Sequence, residues 1–147
     1  MATNTVNIPQ YISGFLTKPR HIAPLAALRV IFGLCMVFST ARFMALGWVN
    51  EHFISTQFHF KYFGFEWVEP LGDSTYFLFL ICAISSLCVF LGLKYRLSII
   101  IFFLSFTYIE LMDKTTYLNH YYFISILSFL LIFIPANASF SIDNLIS

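Results

Sequence analysis

Charged residues are scarce in this chain. Only 10% of its 147 residues are Asp, Glu, Lys or Arg, whereas 59% are hydrophobic; an average soluble domain is about a quarter charged. So little polar surface cannot coat a globule in water, which excludes an ordinary soluble protein. The net charge of +1 offers no basic patch for a nucleic acid, so no nucleic-acid partner is expected.

Cysteine is also scarce, and its placement argues against a cross-linked or zinc-bound fold. The three cysteines are Cys35, Cys82 and Cys88. All lie within apolar segments and none belongs to a CxxC pair, so we expect neither a disulfide framework nor a zinc site. The first ten residues lack a basic stretch followed directly by an apolar run, so no cleavable signal peptide is predicted.

Long apolar segments are what the chain has in abundance. A helix needs about 20 apolar residues to cross a bilayer, and four segments approach this length. We predict an all-α integral membrane four-helix bundle, because irregular backbone cannot face lipid. The predicted helices cover residues 24–46, 74–93, 97–112 and 117–134, with Pro24 in a first turn, Asp73, Ser74 and Thr75 as an N-cap cluster, and Pro135 as a stop.

Basic residues in the short loops predict the orientation. One side of the bundle carries Lys18, Arg20, Lys94 and Arg96, and the other carries Lys61 and Lys114. Because positive charge accumulates on the cytoplasmic side, this asymmetry predicts cytoplasmic termini. Residues 1–23 are expected to form an N-terminal segment with a short amphipathic helix at the membrane interface, and residues 24–147 to form one transmembrane domain.

A polar stretch, Asp113–Tyr121, lies between the last two apolar segments. Polar groups at a membrane helix junction are costly unless they cap, pair or act. One helical face carries Tyr117, His120, Tyr121 and Ile124, and Asn119 adjoins it. This face is too polar for lipid, so we expect it to face the bundle interior or a cavity. Since His titrates near neutral pH and Asn can donate to a developing oxyanion, His120 and Asn119 are candidate catalytic residues.

Each polar residue also has a purely structural interpretation, which the sequence leaves open. A lone histidine is more often a satisfied structural group than a catalytic one. Arg29 and Arg42 lie within about two turns of a helix end and could extend to the interface. Glu110 and Lys114 are four apart and could form an ion pair, and Asp113 could be a turn residue. His52, His59 and His120 show no ligand spacing, so no metal site is expected.

Four stretches carry a family resemblance. They are Leu25–Gly33, with an Arg before an aliphatic–aromatic–Gly run, the aromatic loop Phe58–Val68, the polar stretch Asp113–Tyr122, and Pro135–Asp143. Together they resemble the vitamin K-dependent γ-glutamyl carboxylase family and its relatives with the HTTM membrane domain, from about Ser13 to the last residue. By this resemblance His120 matches the family's active-site histidine and Asn119 its neighbouring asparagine. Tyr117, Tyr121 and Arg29 are the expected cofactor-binding residues.

The resemblance implies carboxylation of peptide glutamate at the expense of a quinol. In the family, reduced vitamin K reacts with oxygen to give a strong base, which removes a proton from the γ-carbon of a glutamate. The carbanion adds carbon dioxide, and the quinone leaves as an epoxide. The expected cofactor is therefore reduced vitamin K or menaquinol, without a metal. The expected partners are membrane lipid, the quinone and a peptide glutamate.

One residue of the family has no counterpart in this chain. The family's base toward the hydroquinone is a lysine in a membrane segment beyond the fourth helix, and this chain ends at Ser147. We therefore expect the N-terminal part of a carboxylase-like protein, inactive alone, in the bacterial inner membrane. The alternative is a stand-alone four-helix membrane protein of the DoxX-like kind, with a structural or quinone-associated role.

Overall fold

The computed structural model describes residues 23–56, 59–114, 119–136 and 141–143. Within these ranges the chain is helical and contains no strand, which confirms the predicted all-α fold. The elements are α1 (Ala23–Ala45), a π-helical turn π1 (Asn50–Ile54), a short 3-10 turn (Gly72–Ser74), α2 (Thr75–Leu91), α3 (Tyr95–Met112) and α4 (Asn119–Phe133). The predicted interfacial segment and Tyr117 lie outside the described residues.

Three helical stretches in the described ranges are long and apolar enough to cross a membrane. They are Ala23–Ala45, Gly72–Leu91 and Tyr95–Met112. Their outward faces expose large apolar side chains such as Phe38 and Phe77, as lipid contact requires. α4 is apolar but has 15 residues, or about 22 Å, so its described part is shorter than a usual span. The predicted membrane-embedded helical bundle is confirmed.

Each helix packs chiefly against its neighbours in the sequence: α1 against α2, α2 against α3, and α3 against α4. The tightest approach is at Gly33, where an added Cβ would lie 2.6 Å from the backbone nitrogen of Phe90. Small residues allow such close helix contacts inside a membrane. Further in, Phe32 of α1 meets Phe102 of α3 edge to face, with 5.5 Å between ring centroids. The core therefore lies between α1, α2 and α3.

The turn between α2 and α3 differs from the prediction at both ends. α2 ends at Leu91 because Gly92 adopts the left-handed conformation, with φ of 67°, and so caps the helix. α3 begins at Tyr95 rather than at residue 97. The carboxylate of Asp143 accepts hydrogen bonds from the backbone amides of Lys94 (2.7 Å) and Tyr95 (3.0 Å), and these bonds cap the extra turn.

A candidate ligand cavity at one end of the bundle

A cavity of about 560 Å³ lies at the end of the bundle where α1 finishes and α4 begins. This volume falls in the range of small-molecule sites. Its apolar wall consists of Met36, Phe43, Phe53, Phe79, Phe106 and Ile109, and its polar groups come from Ser39, Thr40, Trp48, Glu51, His52, Glu110 and Tyr121. A mostly apolar cavity with a few polar groups is the usual form of a binding site.

Three phenylalanine rings form one side of the cavity. Phe43 and Phe79 stack almost parallel, at 8° and 5.2 Å between centroids, although they belong to different helices. Phe53 of π1 packs against both, at 6.3 Å from Phe43 and 5.8 Å from Phe79. Such interlocked rings have little rotational freedom. They therefore present a preformed apolar surface to a flat ligand.

His52 reaches the cavity from π1. π-helical turns are often found at functional sites because they redirect side chains. Nδ1 of His52 lies 3.0 Å from the carbonyl oxygen of Trp48, which can only accept a hydrogen bond. Nδ1 therefore carries a proton and donates it to this carbonyl. The sequence offered no motif around His52, and only the fold brings it to the same cavity as Glu110 of α3.

Glu110 enters the cavity from α3. The hydroxyl of Ser125 on α4 donates to its Oε2. Its other oxygen, Oε1, is buried and has no hydrogen-bond partner among the described residues. The ion pair with Lys114 does not form in the described part of the chain, because the ammonium group lies over the Tyr62 ring, 5.8 Å from its centroid. The hydrogen bond from Ser125 therefore fixes one carboxyl oxygen of Glu110, and the other carboxyl oxygen is buried without a hydrogen-bond partner in the described ranges.

Tyr121 is the candidate from the polar stretch that lines the cavity. His120 stacks edge-on against the Tyr121 ring at 4.6 Å, but His120 and Asn119 are exposed and lie outside the cavity lining. The expectation that they face the interior or a cavity is therefore wrong. The buried residues of α4 are Ser128 and Leu131, in its second half, whereas its first turn is left uncovered. The two residues stand at the rim.

The family model described as the HTTM domain matches residues 17–147, almost the whole chain. The chain belongs to the HTTM domain family. This is the membrane domain of the vitamin K-dependent carboxylase family, so the predicted family membership is confirmed. No solved structure matches the chain.

Arg29 lies at the other end of the HTTM domain. Its side chain is 0% exposed, so it does not extend to the interface. A Cβ on Gly92 would overlap its guanidinium group, which places Arg29 beside the turn between α2 and α3. The structure therefore does not bring Arg29 together with Tyr121. Arg42, in contrast, is exposed, with its guanidinium carbon 5.4 Å from the centroid of the Trp48 ring.

Asp113, at the end of α3, bonds to the aromatic loop of the HTTM domain at His59 and Phe60. Its carboxylate accepts a hydrogen bond from the backbone amide of Phe60 (3.4 Å) and lies 3.3 Å from Nδ1 of His59. The amide of Lys114 donates to the Phe60 carbonyl in return (2.8 Å). Asp113 is therefore more than a turn residue: its buried carboxylate joins two segments that are 53 positions apart.

The same loop carries a surface ion pair. The ammonium group of Lys61 donates to the carboxylate of Glu69, and this bond, with the attraction between the charges, holds the pKa of Glu69 below its ordinary value. The Glu69 side chain is largely in solvent and that of Lys61 is partly exposed. The pair therefore orders the loop only weakly.

The described part of the HTTM domain contains no group of three or more His, Cys, Asp and Glu side chains that could hold a metal ion. The cavity's polar groups are instead suited to hydrogen bonding. Glu110, His52 and Tyr121 all carry side-chain atoms that can form hydrogen bonds with a ligand. This arrangement can bind a neutral ligand that is largely apolar and has polar groups at its edges.

Proposed function

We propose that this HTTM protein binds a quinol, reduced vitamin K or menaquinol, in the cavity between Phe79, Glu110 and Tyr121. We also propose that it forms the membrane domain of a carboxylase-like protein acting on peptide glutamate. The observation that carries the proposal is the cavity itself: three interlocked phenylalanine rings face buried hydrogen-bonding groups within a membrane-embedded bundle. Family membership supports a quinol over other apolar ligands.

The residues present fit such a ligand. The buried Oε1 of Glu110 has no hydrogen-bond partner in the described ranges, so a ligand hydroxyl that formed a hydrogen bond with it would remove the cost of leaving it unpaired. The rings of Phe43 and Phe79 offer an apolar surface to an aromatic ring. The family's chemistry implies that a bound quinol supplies the reducing power that generates a strong base.

Each group of side chains would have a different role, which depends on its position in the bundle. The phenylalanine wall would hold the ring and exclude water, while Glu110 and Tyr121 would bind its oxygens. His120 and Asn119, exposed outside the cavity lining, would donate to charge that develops during the reaction rather than to the bound quinol. Arg29, at the opposite end, would stabilise the turn between α2 and α3.

We propose further that the chain binds quinol without carboxylating glutamate when it is alone. No lysine lines the cavity among the described residues, and the resemblance makes a lysine the base of the family. Lys94 and Arg96, at the end opposite the cavity, support a cytoplasmic N-terminus in the bacterial inner membrane. The cavity would then open toward the non-cytoplasmic side.

Fluorescence can test quinone binding directly, because the chain has two tryptophans. Trp48 lines the cavity, whereas Trp67 is 70% exposed in the aromatic loop. Trp67→Phe leaves Trp48 as the single fluorophore. Titrating this variant in detergent with menaquinone should quench its fluorescence with saturation.

Trp48→Phe is the matched control, since it keeps only Trp67, outside the cavity. For this variant the ratio of unquenched to quenched fluorescence should rise linearly with quinone concentration, as it does in collisional quenching. A linear response from Trp48 as well would refute binding in the cavity.

A further inference from the structure

The aromatic loop exposes large apolar rings although its described part, residues 59–68, forms turns rather than a helix. Phe63 is 98% exposed and Trp67 is 70% exposed, and Phe60 and Phe65 are exposed as well. Single exposed apolar residues are normal on a protein, but a cluster of large ones marks a surface that another body covers.

Hydrogen bonds fix the shape of the loop. The amide of Phe65 donates to the carbonyl of Tyr62, and the amide of Val68 donates to the carbonyl of Phe65, both at 3.0 Å. Between them Gly64 has a φ of 86°, which suits the third position of a tight turn. Phe63 is therefore held at the tip of a defined turn, and its ring points away from the protein.

The loop lies along the side of α3, below the end of that helix. The ring of Trp67 is 6.5 Å from the ring of Tyr108, and the Tyr108 hydroxyl donates to the carbonyl of Glu69 (3.2 Å). Tyr108 is about 6 Å from the last residue of α3 along the helix axis. Tyr62 lines a groove together with Phe103, about two and a half turns before that end. The exposed rings therefore continue the lipid-facing surface of the helices.

The composition of the loop matches one layer of a bilayer. Exposed aromatic rings are unfavourable in water. The loop also carries Lys61 and Glu66, both exposed, and charged side chains and irregular backbone are unfavourable in the hydrocarbon core. The head-group region accommodates both kinds of group, and aromatic side chains are enriched there.

We propose that the aromatic loop inserts Phe63 and Trp67 into the membrane interface, in the leaflet at the cavity end of the bundle. The partner that covers these rings is the lipid itself, at the level of the head groups and the first acyl carbons. Asp113 holds the loop in this place through Phe60 and His59. The inference does not depend on which ligand the cavity binds.

Trp67 can report its own depth. Trp48→Phe leaves it as the single tryptophan of the chain. The full chain is reconstituted into phosphatidylcholine vesicles that contain lipid brominated either near the head group or near the end of the acyl chain. We expect the bromine near the head group to quench Trp67 more strongly. Acrylamide in the water should quench Trp67 less than it quenches N-acetyltryptophanamide.

Two further variants calibrate the depth, both made with Trp48→Phe and Trp67→Phe. Phe63→Trp places a reporter at the tip of the turn and should respond as Trp67 does. Ile84→Trp places one in the middle of α2, where the side chain of Ile84 is exposed toward lipid. This variant should show the opposite order, with stronger quenching by the bromine near the chain end.

Each other outcome contradicts the inference. Strong acrylamide quenching without quenching by brominated lipid would place the loop in water. Quenching in the same order as Ile84→Trp would place the loop in the hydrocarbon core. Protection from both reagents would show that another protein surface, rather than lipid, covers the rings. If Phe63→Trp does not fold, as judged by size-exclusion chromatography, Trp67 still decides. No result of these measurements depends on quinone binding, so the proposed function is tested separately.

Discussion

Gly33 of α1 lies directly against the backbone of Phe90 in α2, so close that a methyl group at Gly33 would meet backbone atoms at 2.6–2.7 Å. Real Cβ contacts are longer than this. Backbone atoms in the middle of two packed helices cannot move aside as the end of a flexible side chain can. The contact therefore fixes how near α1 and α2 approach.

Gly33→Ala should destabilise the bundle. Adding a methyl group to a packed contact costs about 1–3 kcal/mol, here because α1 and α2 must separate. A lower melting temperature in detergent would show the effect. Cys35→Ala is the control, since Cys35 is exposed two residues away, and it should melt as the wild type does. Equal melting of Gly33→Ala and the wild type would contradict the close contact.

Asp143→Ala should loosen the start of α3. The variant loses the carboxylate that accepts from the amides of Lys94 and Tyr95, and the loss of a helix N-cap costs about 0.5–2 kcal/mol. Hydrogen–deuterium exchange at the Tyr95 amide should become faster. Asp73→Ala is the matched control, because Asp73 is exposed before α2 and makes no capping bond in the described structure. Unchanged exchange in Asp143→Ala would refute the cap.

Lys61→Ala should raise the pKa of Glu69 toward its ordinary value, because the hydrogen bond and the attraction from Lys61 lower it. The lowered pKa of Glu69 also determines how its contribution to stability changes with pH. A lowered pKa in the folded state adds stability above the ordinary pKa of a carboxyl group, and that contribution disappears as the pH falls through the lowered value. An NMR titration of the Glu69 carboxyl carbon measures the shift. High salt should weaken the effect in the wild type, and a salt-independent pKa would argue against the pair.

Tyr121→Ala and His120→Ala should differ in ligand binding, although the two residues are adjacent. Tyr121 lines the cavity and its ring packs edge-on against Phe106, so its removal should weaken quinone binding by about tenfold or more. His120 is exposed, so His120→Ala should keep the fold and change the dissociation constant by less than about twofold. Trp48 quenching in the Trp67→Phe background measures both. A larger loss of quinone affinity in His120→Ala than in Tyr121→Ala would show that the quinone ring binds beside His120 rather than inside the cavity.

The helices were predictable because they depend on long apolar runs, and the described ends lie within two residues of the predicted ones. The two-residue extension at the start of α3 was not predictable in this way. Its cap comes from Asp143, 48 positions away, and local sequence carries no sign of it. In the predicted cap cluster, Ser74 makes no side-chain cap bond, but the hydroxyl of Thr75 accepts from the backbone amide of Leu71 (3.1 Å). Caps supplied from a distance are consequences of the tertiary fold.

The candidate site was predictable in part. The polar stretch and the family resemblance pointed to Tyr121, which lines the cavity, and to His120, which does not. Glu110 stood out as a charge in an apolar helix, but its partner is Ser125 of α4 rather than a residue of its own helix. His52 lacked any signal because its position depends on π1. The direction of a side chain at a helix end depends on which other elements pack against that end. Local sequence does not specify those elements.

The bond between Asp143 and Tyr95 also sets an order of events during synthesis. Ribosomes add about 5–20 residues per second, so the 48 positions that separate the two residues correspond to a delay of about 2–10 s. For that interval α3 exists without its cap, and its first turn has no carboxylate to accept from the Lys94 and Tyr95 amides. The end of the bundle opposite the cavity is therefore completed last.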